Sequence, residues 1–187
     1  MGNDRLLEQF SGFFHTLCEN LGENPAREGL NQTPQRTVQS FSDLLSGYKQ
    51  DPKELLGATF QEGVCDEMVI VKDIEFYSMC EHHLLPFFGH ISIGYIPDGR
   101  IAGLSALTRV VETYARRLQI QETLTEQIAQ CLLDTLKPKG VIVTAQAHHL
   151  CMSMRGVQKN PIIITSALRG LFKSDPRTRA EFMQLVK

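Results

Sequence analysis

Two short stretches concentrate the side chains that can do chemistry. In "SMCEHHLLPFFGH", residues 78–90, a cysteine, a glutamate and two histidines follow one another, and "AHHLC", residues 147–151, repeats the ingredients in another order. Together they hold five of the chain's six histidines and two of its five cysteines. A packed core seldom needs that, because each buried imidazole must find a hydrogen-bond partner. Cys80 and His83 form a C-x2-H pair, a spacing that lets one tight turn aim a thiolate and an imidazole at one ion, and Cys151 can add a third ligand from a distant segment. Sulfur and nitrogen ligands together suit zinc. Three protein ligands leave the fourth tetrahedral position open for water, the arrangement of a zinc hydrolase. Two other readings of these residues stand beside it: a chance spacing without metal, and a structural zinc completed by His90, Cys65 or His149.

The pattern around these stretches says what must position them. Leu6, Leu7, Phe10, Phe13, Phe14 and Leu17 have the spacing of an amphipathic helix over residues 4–20. A second helix is expected in "TPQRTVQSFSDLLSGY", with Thr33 as N-cap, Pro34 at the first helical position and Gly47 past the last turn. From residue 67 the composition turns β-branched and aromatic, and "EMVIVKDIEFY" and "FGHISIGYIPDGR" read as two strands. Two helices follow, one with Leu107, Val110, Val111, Tyr114 and Leu118 in register, the next with Leu124, Ile128, Cys131, Leu132 and Leu136. "VIVTAQAHHLCMSMR" and "PIIITSALRGLF" read as two more strands, and "SDPRTRAEFMQLVK" as a C-terminal helix with Pro176 in its first turn.

Strands in adjacent pairs predict an α+β fold, an antiparallel sheet with helices on one face, and exclude a doubly wound parallel sheet. Residues 1–66 form an N-terminal helical extension in this reading, and 67–187 the catalytic domain. Along the third strand, alternation puts His149, Cys151, Ser153 and Arg155 on one face and turns His148 away. His90 falls in an alternating pattern and reads as a sheet-surface residue.

A net charge of −2 removes the global basic field that non-specific nucleic-acid binding needs. No apolar run approaches a membrane span, the first residues have no apolar signal core, and Leu6 breaks the myristoylation pattern, so a cytoplasmic protein is expected. An odd number of irregularly spaced cysteines argues for reduced thiols, with Cys18 and Cys131 filling helical apolar patterns.

Taken together, "SMCEHHLLPFFGHISIGYIP", "GLSALTRVVETYARRLQIQETLTEQIA", "AHHLCMSMRGVQ" and "GLFKSDPRTRAEF" resemble the GTP cyclohydrolase I family, over roughly residues 30–187. The resemblance implies a tunnelling fold, a ring-shaped homodecamer, and conversion of GTP and water to 7,8-dihydroneopterin triphosphate and formate. It implies that Cys80, His83 and Cys151 bind Zn2+, which activates the water that attacks C8 of guanine. His82 and His149 match the family's acid/base histidines, and Glu122, with Gln121 beside it, matches the carboxylate that holds the guanine edge. Ser105 matches a serine near the ribose, Arg109 and Arg155 match triphosphate-binding arginines, and Arg36 in "TPQR" is a further candidate. The chain departs from the family at Ala106, where a lysine is usual, and at "KNPIIITSALRG", where a Ser/Thr-rich strand is usual. The alternatives are the same ring opening on another guanine nucleotide and a non-catalytic zinc-stabilised assembly.

Overall fold

The β-branched runs after residue 67 become the central strands of one five-stranded sheet. A computed structural model describes residues 2–57, 59–60 and 66–187. They divide into two compact units, Met1–Leu45 and Ser46–Lys187. The first contains α1 (Gly2–Leu21) and α2 (Thr33–Leu44), which pack together. Pro34 does sit in the first turn of α2, but the N-cap is Gln32, without a side-chain bond, and Thr33 is already helical. Leu6, Phe13, Leu17 and Leu21 on α1 remain exposed.

The larger unit starts with a 3-10 turn, Ser46–Lys49, and α3 (Pro52–Leu55). These belong to it because Gly47 N–H donates to Arg116 O at 3.0 Å and Leu56 is fully buried in its core. The succession is then β1 (Thr59–Phe60), β2 (Val69–Cys80), β3 (Pro86–Ile96), β4 (Ile101–Ala102), α4 (Leu104–Ala115), β5 (Leu118–Gln119) and α5 (Gln121–Leu136). It continues with β6 (Gly140–His149), α6 (Leu150–Ser153), β7 (Ile163–Gly170), α7 (Leu171–Ser174) and α8 (Pro176–Leu185). The sheet order is β5-β2-β3-β6-β7, antiparallel except that β5 lies parallel to β2, and β1 pairs with β4 separately. This is the expected α+β architecture. Leu118, expected in a helix, is instead in β5, because α4 stops at Ala115 and the chain extends to pair with Met79.

The period of two along the strands decides the layers. Phe87, Ile91, Ile93 and Tyr95 of β3 and Val141, Val143 and Ala145 of β6 share one core with Leu107, Val110 and Val111 of α4 and Leu124, Ile128 and Leu132 of α5. The intervening positions face the other way, where Ile96 and Ile142 pack with Phe172 and Phe182 at one end of the opposite face. Gly94 makes room for this: a Cβ there would stand 2.6 Å from the Phe182 ring. Asp175 caps α8 by accepting from Arg177 N–H, and α8 thereby presents Phe182 to the sheet. Phe182→Ala is expected to cost about 3–5 kcal/mol, the range for a fully buried aromatic. Equilibrium urea unfolding checks this, and a loss below about 1 kcal/mol would mean that α8 does not seal that face.

Candidate metal centre and active site

Cys80 ends β2, and the next five residues reverse the chain so that Pro86 can begin β3 opposite Met79. The reversal is tight. Leu84 N–H returns to Cys80 O at 2.9 Å, Cys80 N–H reaches Leu85 O at 2.9 Å, and Leu84 takes a left-handed φ of 53°. A non-glycine residue there carries strain, which the surrounding bonds must hold in place. The effect is to display His82 and His83 at the hairpin tip beside the thiol, with Nδ1 atoms 3.9 and 3.6 Å from Cys80 Sγ.

Two further segments close on this tip. β5 pairs with the end of β2 through Cys80↔Gln119, and Glu81 N–H donates to Gln119 O at 3.0 Å. The start of α5, Gln121 and Glu122, is thereby delivered to the same place. From the other side, β6 pairs with β3 in the register Phe87↔His149, and β6 ends there. The strand expected to run through residue 155 does not: Leu150–Ser153 is a helical turn, so the predicted shared strand face of His149, Cys151, Ser153 and Arg155 is not formed. His149 reaches the site from the end of β6, and Cys151 from the helical turn that follows. His148 does point away, its Nδ1 3.1 Å from Asn160 Oδ1.

Cys80, His82, His83, Phe87, Gln119, Ile120, Gln121, Glu122, His149 and Cys151 line a cavity of about 180 Å³. Within it one ligand atom each of Cys80, His83 and Cys151 lie inside 4.8 Å of one another. Zinc–ligand lengths and a tetrahedral angle require neighbouring S and N ligands about 3.5–3.8 Å apart, and the Cys80–His83 distance of 3.6 Å meets this. Burial, and then the neighbouring Cys80 sulfur, push the Cys151 thiol above its ordinary pKa, with the Arg155 charge opposing. A bound cation reverses that balance, because it stabilises both thiolates at once. The residues therefore fit a zinc ion. The four described cysteines are all free, and Cys65 lies outside the described residues. His90 is exposed and lines a different cavity with Glu75, Tyr77, Phe88 and His148, so it cannot complete this group.

His149 has a separate environment. Its ring stacks on Phe87 with centroids 4.7 Å apart and planes 5° from parallel, and its Nε2 is 2.8 Å from Gln121 Oε1. Burial lowers its pKa, and the Glu122 carboxylate opposes that. His82 is exposed, 3.9 Å from Glu81.

Of the residues expected at the site, Cys80, His82, His83, Gln121, Glu122, His149 and Cys151 converge. Ser105, Arg109 and Arg155 are exposed and line no part of this cavity. Arg36 is on α2 in the smaller unit and donates to Gln32 Oε1 at 3.0 Å. Ala106 is buried on the core side of α4, so a lysine there would have to thread its stem out of the core. Phe87 and Gln119 were missed. Phe87 follows the hairpin in the first quoted motif, but only the β3–β6 register makes it the platform under His149.

No described helix is long and apolar enough to cross a membrane. Comparison with known proteins agrees with the geometry. The family model described as GTP cyclohydrolase I matches residues 10–187. The GTP cyclohydrolase 1 of Helicobacter hepaticus is 59% identical over 99% of this chain and 90% of its own length. The protein of that name from Wolinella succinogenes is 60% identical over 92% of each chain, and that from Helicobacter pylori is 58% identical over 94% of this chain and 98% of its own. With a Cys-His-Cys group that could hold a metal, two histidines and a carboxylate on one cavity and this match over nearly the whole length, the chain belongs to the GTP cyclohydrolase I family.

Proposed function

We propose that this chain is a zinc-dependent GTP cyclohydrolase I, hydrolysing GTP to 7,8-dihydroneopterin triphosphate and formate by opening the imidazole ring at C8. The observation that carries this reading is the convergence of Cys80, His83 and Cys151 with Glu122, His82 and His149 on one cavity. Cys80, His83 and Cys151 hold the zinc, which when bound supplies Lewis-acid activation of water at neutral pH. Glu122, in the first turn of α5, accepts two parallel N–H bonds from the guanine edge and so fixes the base. His149, half-buried and with its pKa lowered by that burial, exchanges a proton with the ring being opened, and His82 serves as the second proton carrier at the exposed mouth. The stacked Phe87 walls the cavity against bulk water.

A cavity of about 180 Å³ suits the base end of the substrate, since pockets for whole drug-sized ligands run from roughly 300 Å³ upward. The ribose and triphosphate then extend beyond it. Ser105 is assigned to the ribose, and Arg109, Arg155 and Arg36 to the phosphates, on the family resemblance; the exposure of Ser105, Arg109 and Arg155 leaves them available for it. A second reading, the same chemistry on a less phosphorylated guanine nucleotide, rests on the sequence alone, where Ala106 stands in place of the family's usual lysine. Formate release and oxidised-pterin fluorescence from GTP, GMP and guanosine separate the two: GTP is expected to have the highest kcat/KM, and a preference for GMP would select the second reading.

The proposed assembly is a ring-shaped homodecamer in the cytoplasm. Its support is the edge of β7, which has no further strand beside it among the described residues, with Ile164 in it and Ile162 just before it exposed, together with the exposed apolar residues of α1. Free thiols at the four described cysteines and a net charge of −2 support a cytoplasmic enzyme without nucleic-acid partners. Light scattering is expected to give a mass near ten times 21.1 kDa, and a stable monomer would contradict the ring.

A further inference from the structure

Gln121 is 1% exposed, and every polar atom of its side chain is engaged. Its Nε2 lies 3.1 Å from Ala145 O, 3.0 Å from Ile163 O and 3.2 Å from Thr165 Oγ1. Two of these neighbours are carbonyls, which only accept, so they require the NH2 group of the amide to face them. Rotating the amide by half a turn would set Oε1 against both carbonyl oxygens, acceptor against acceptor, and lose the bonds that Nε2 gives them. The orientation is therefore fixed by β6 and β7, and Oε1 must point the other way, at His149 Nε2, 2.8 Å distant. An amide oxygen can only accept. The ring nitrogen facing it must carry the proton, and in a neutral imidazole the other nitrogen, Nδ1, then holds the lone pair. Nδ1 has no hydrogen-bond partner among the described residues, while Phe87 stacked at 5° fixes the ring plane.

We propose that Gln121 acts on the reaction through His149, as a positioning residue that holds the ring in the Nε2–H form and reserves Nδ1 for proton exchange with the substrate. This rests on the cyclohydrolase reading of the site and deepens it. It gives Gln121 a role other than donating to guanine, since the NH2 group is taken up by β6 and β7. The scaffold behind it spans three elements, because the first residue of α5 reads the backbone of β6 and β7 and passes their geometry to a histidine at the end of β6.

The test is a mutant cycle on the zinc-loaded protein with GTP. Gln121→Met keeps the side-chain length and removes the acceptor. It is expected to lower kcat about 10–100-fold, a part of the 10²–10⁴-fold that a general acid or base contributes, with KM changed less than about threefold. In the His149→Ala background the same substitution is expected to have no further effect on kcat, because its only route to the reaction is gone. A fully additive double mutant, or a raised KM at unchanged kcat, would overturn the proposal, the latter in favour of direct substrate contact. If Gln121→Met does not fold, the unmutated protein still decides. Nitrogen-15 spectra of histidine-labelled protein above neutral pH, with His149→Ala assigning the signals, are expected to show a protonated Nε2 and an unprotonated Nδ1. The opposite pattern would overturn the proposal. Those spectra do not depend on turnover, so an unmutated protein inert towards GTP would sink the cyclohydrolase reading and leave the role of Gln121 to be decided by them.

Discussion

Cys151→Ser is expected to release the metal and with it the activity. A zinc bound by two thiolates and one imidazole would lose its second sulfur in this variant, since Cys151 stands within 4.8 Å of the other two ligand atoms. His149 is not a member of the three-residue ligand group, and its ring is held by the stack on Phe87 and the bond to Gln121. Removing a mere hydrogen-bond partner of a metal ligand costs about 10–100-fold in affinity, so removing the ligand itself is expected to cost on the order of 10³-fold or more. Metal analysis of the purified protein should fall from one zinc per chain to a small fraction, and formate release should fall in step. Full zinc occupancy in Cys151→Ser would remove Cys151 from the ligand set. Cys80→Ser is expected to behave alike, with a further loss of stability because Cys80 is also packed in the core.

His149→Ala separates chemistry from coordination. The ring is stacked on Phe87 and bonded to Gln121, and it forms no part of the three-residue ligand group. The variant should therefore keep its zinc while kcat falls about 10²–10⁴-fold, the usual contribution of a positioned proton carrier. Some stability is lost as well, since Gln121 Oε1 is left buried without its donor. A metal-free His149→Ala protein would make His149 a ligand and turn the centre into a structural one.

How far these residues could be read from the sequence depended on how local their contacts are. Cys80 and His83 were legible because three residues of separation and a tight reversal are enough to bring them together. Glu122 was legible as a helix start. The fold class followed from strands that come in adjacent pairs, each with its own period of two. What could not be read was register. Nothing within the AHHLC motif says that β6 stops at His149, and a strand extrapolated through Arg155 put four residues on a face that does not exist. Phe87 became the partner of His149 only through pairing across 62 positions of chain, and Gln121 is held by Ile163 and Thr165, 42 and 44 residues away. Polar anchors of that kind have no sequence signature, since a buried glutamine and an exposed one look the same until the strands around them are placed. Ala106 illustrates the converse. As a letter it was a missing cation, whereas in the fold it is a small residue on the buried side of α4.

If the proposed function is right, this cavity opens the guanine ring. The deciding measurement is formate released per GTP consumed by protein first stripped of metal with a chelator and then reconstituted with zinc. One formate for each GTP is expected, with oxidised-pterin fluorescence rising in parallel, no turnover in the stripped protein, and recovery at one zinc per chain. Consumption of GTP without formate, or equal turnover before and after zinc is restored, would contradict it.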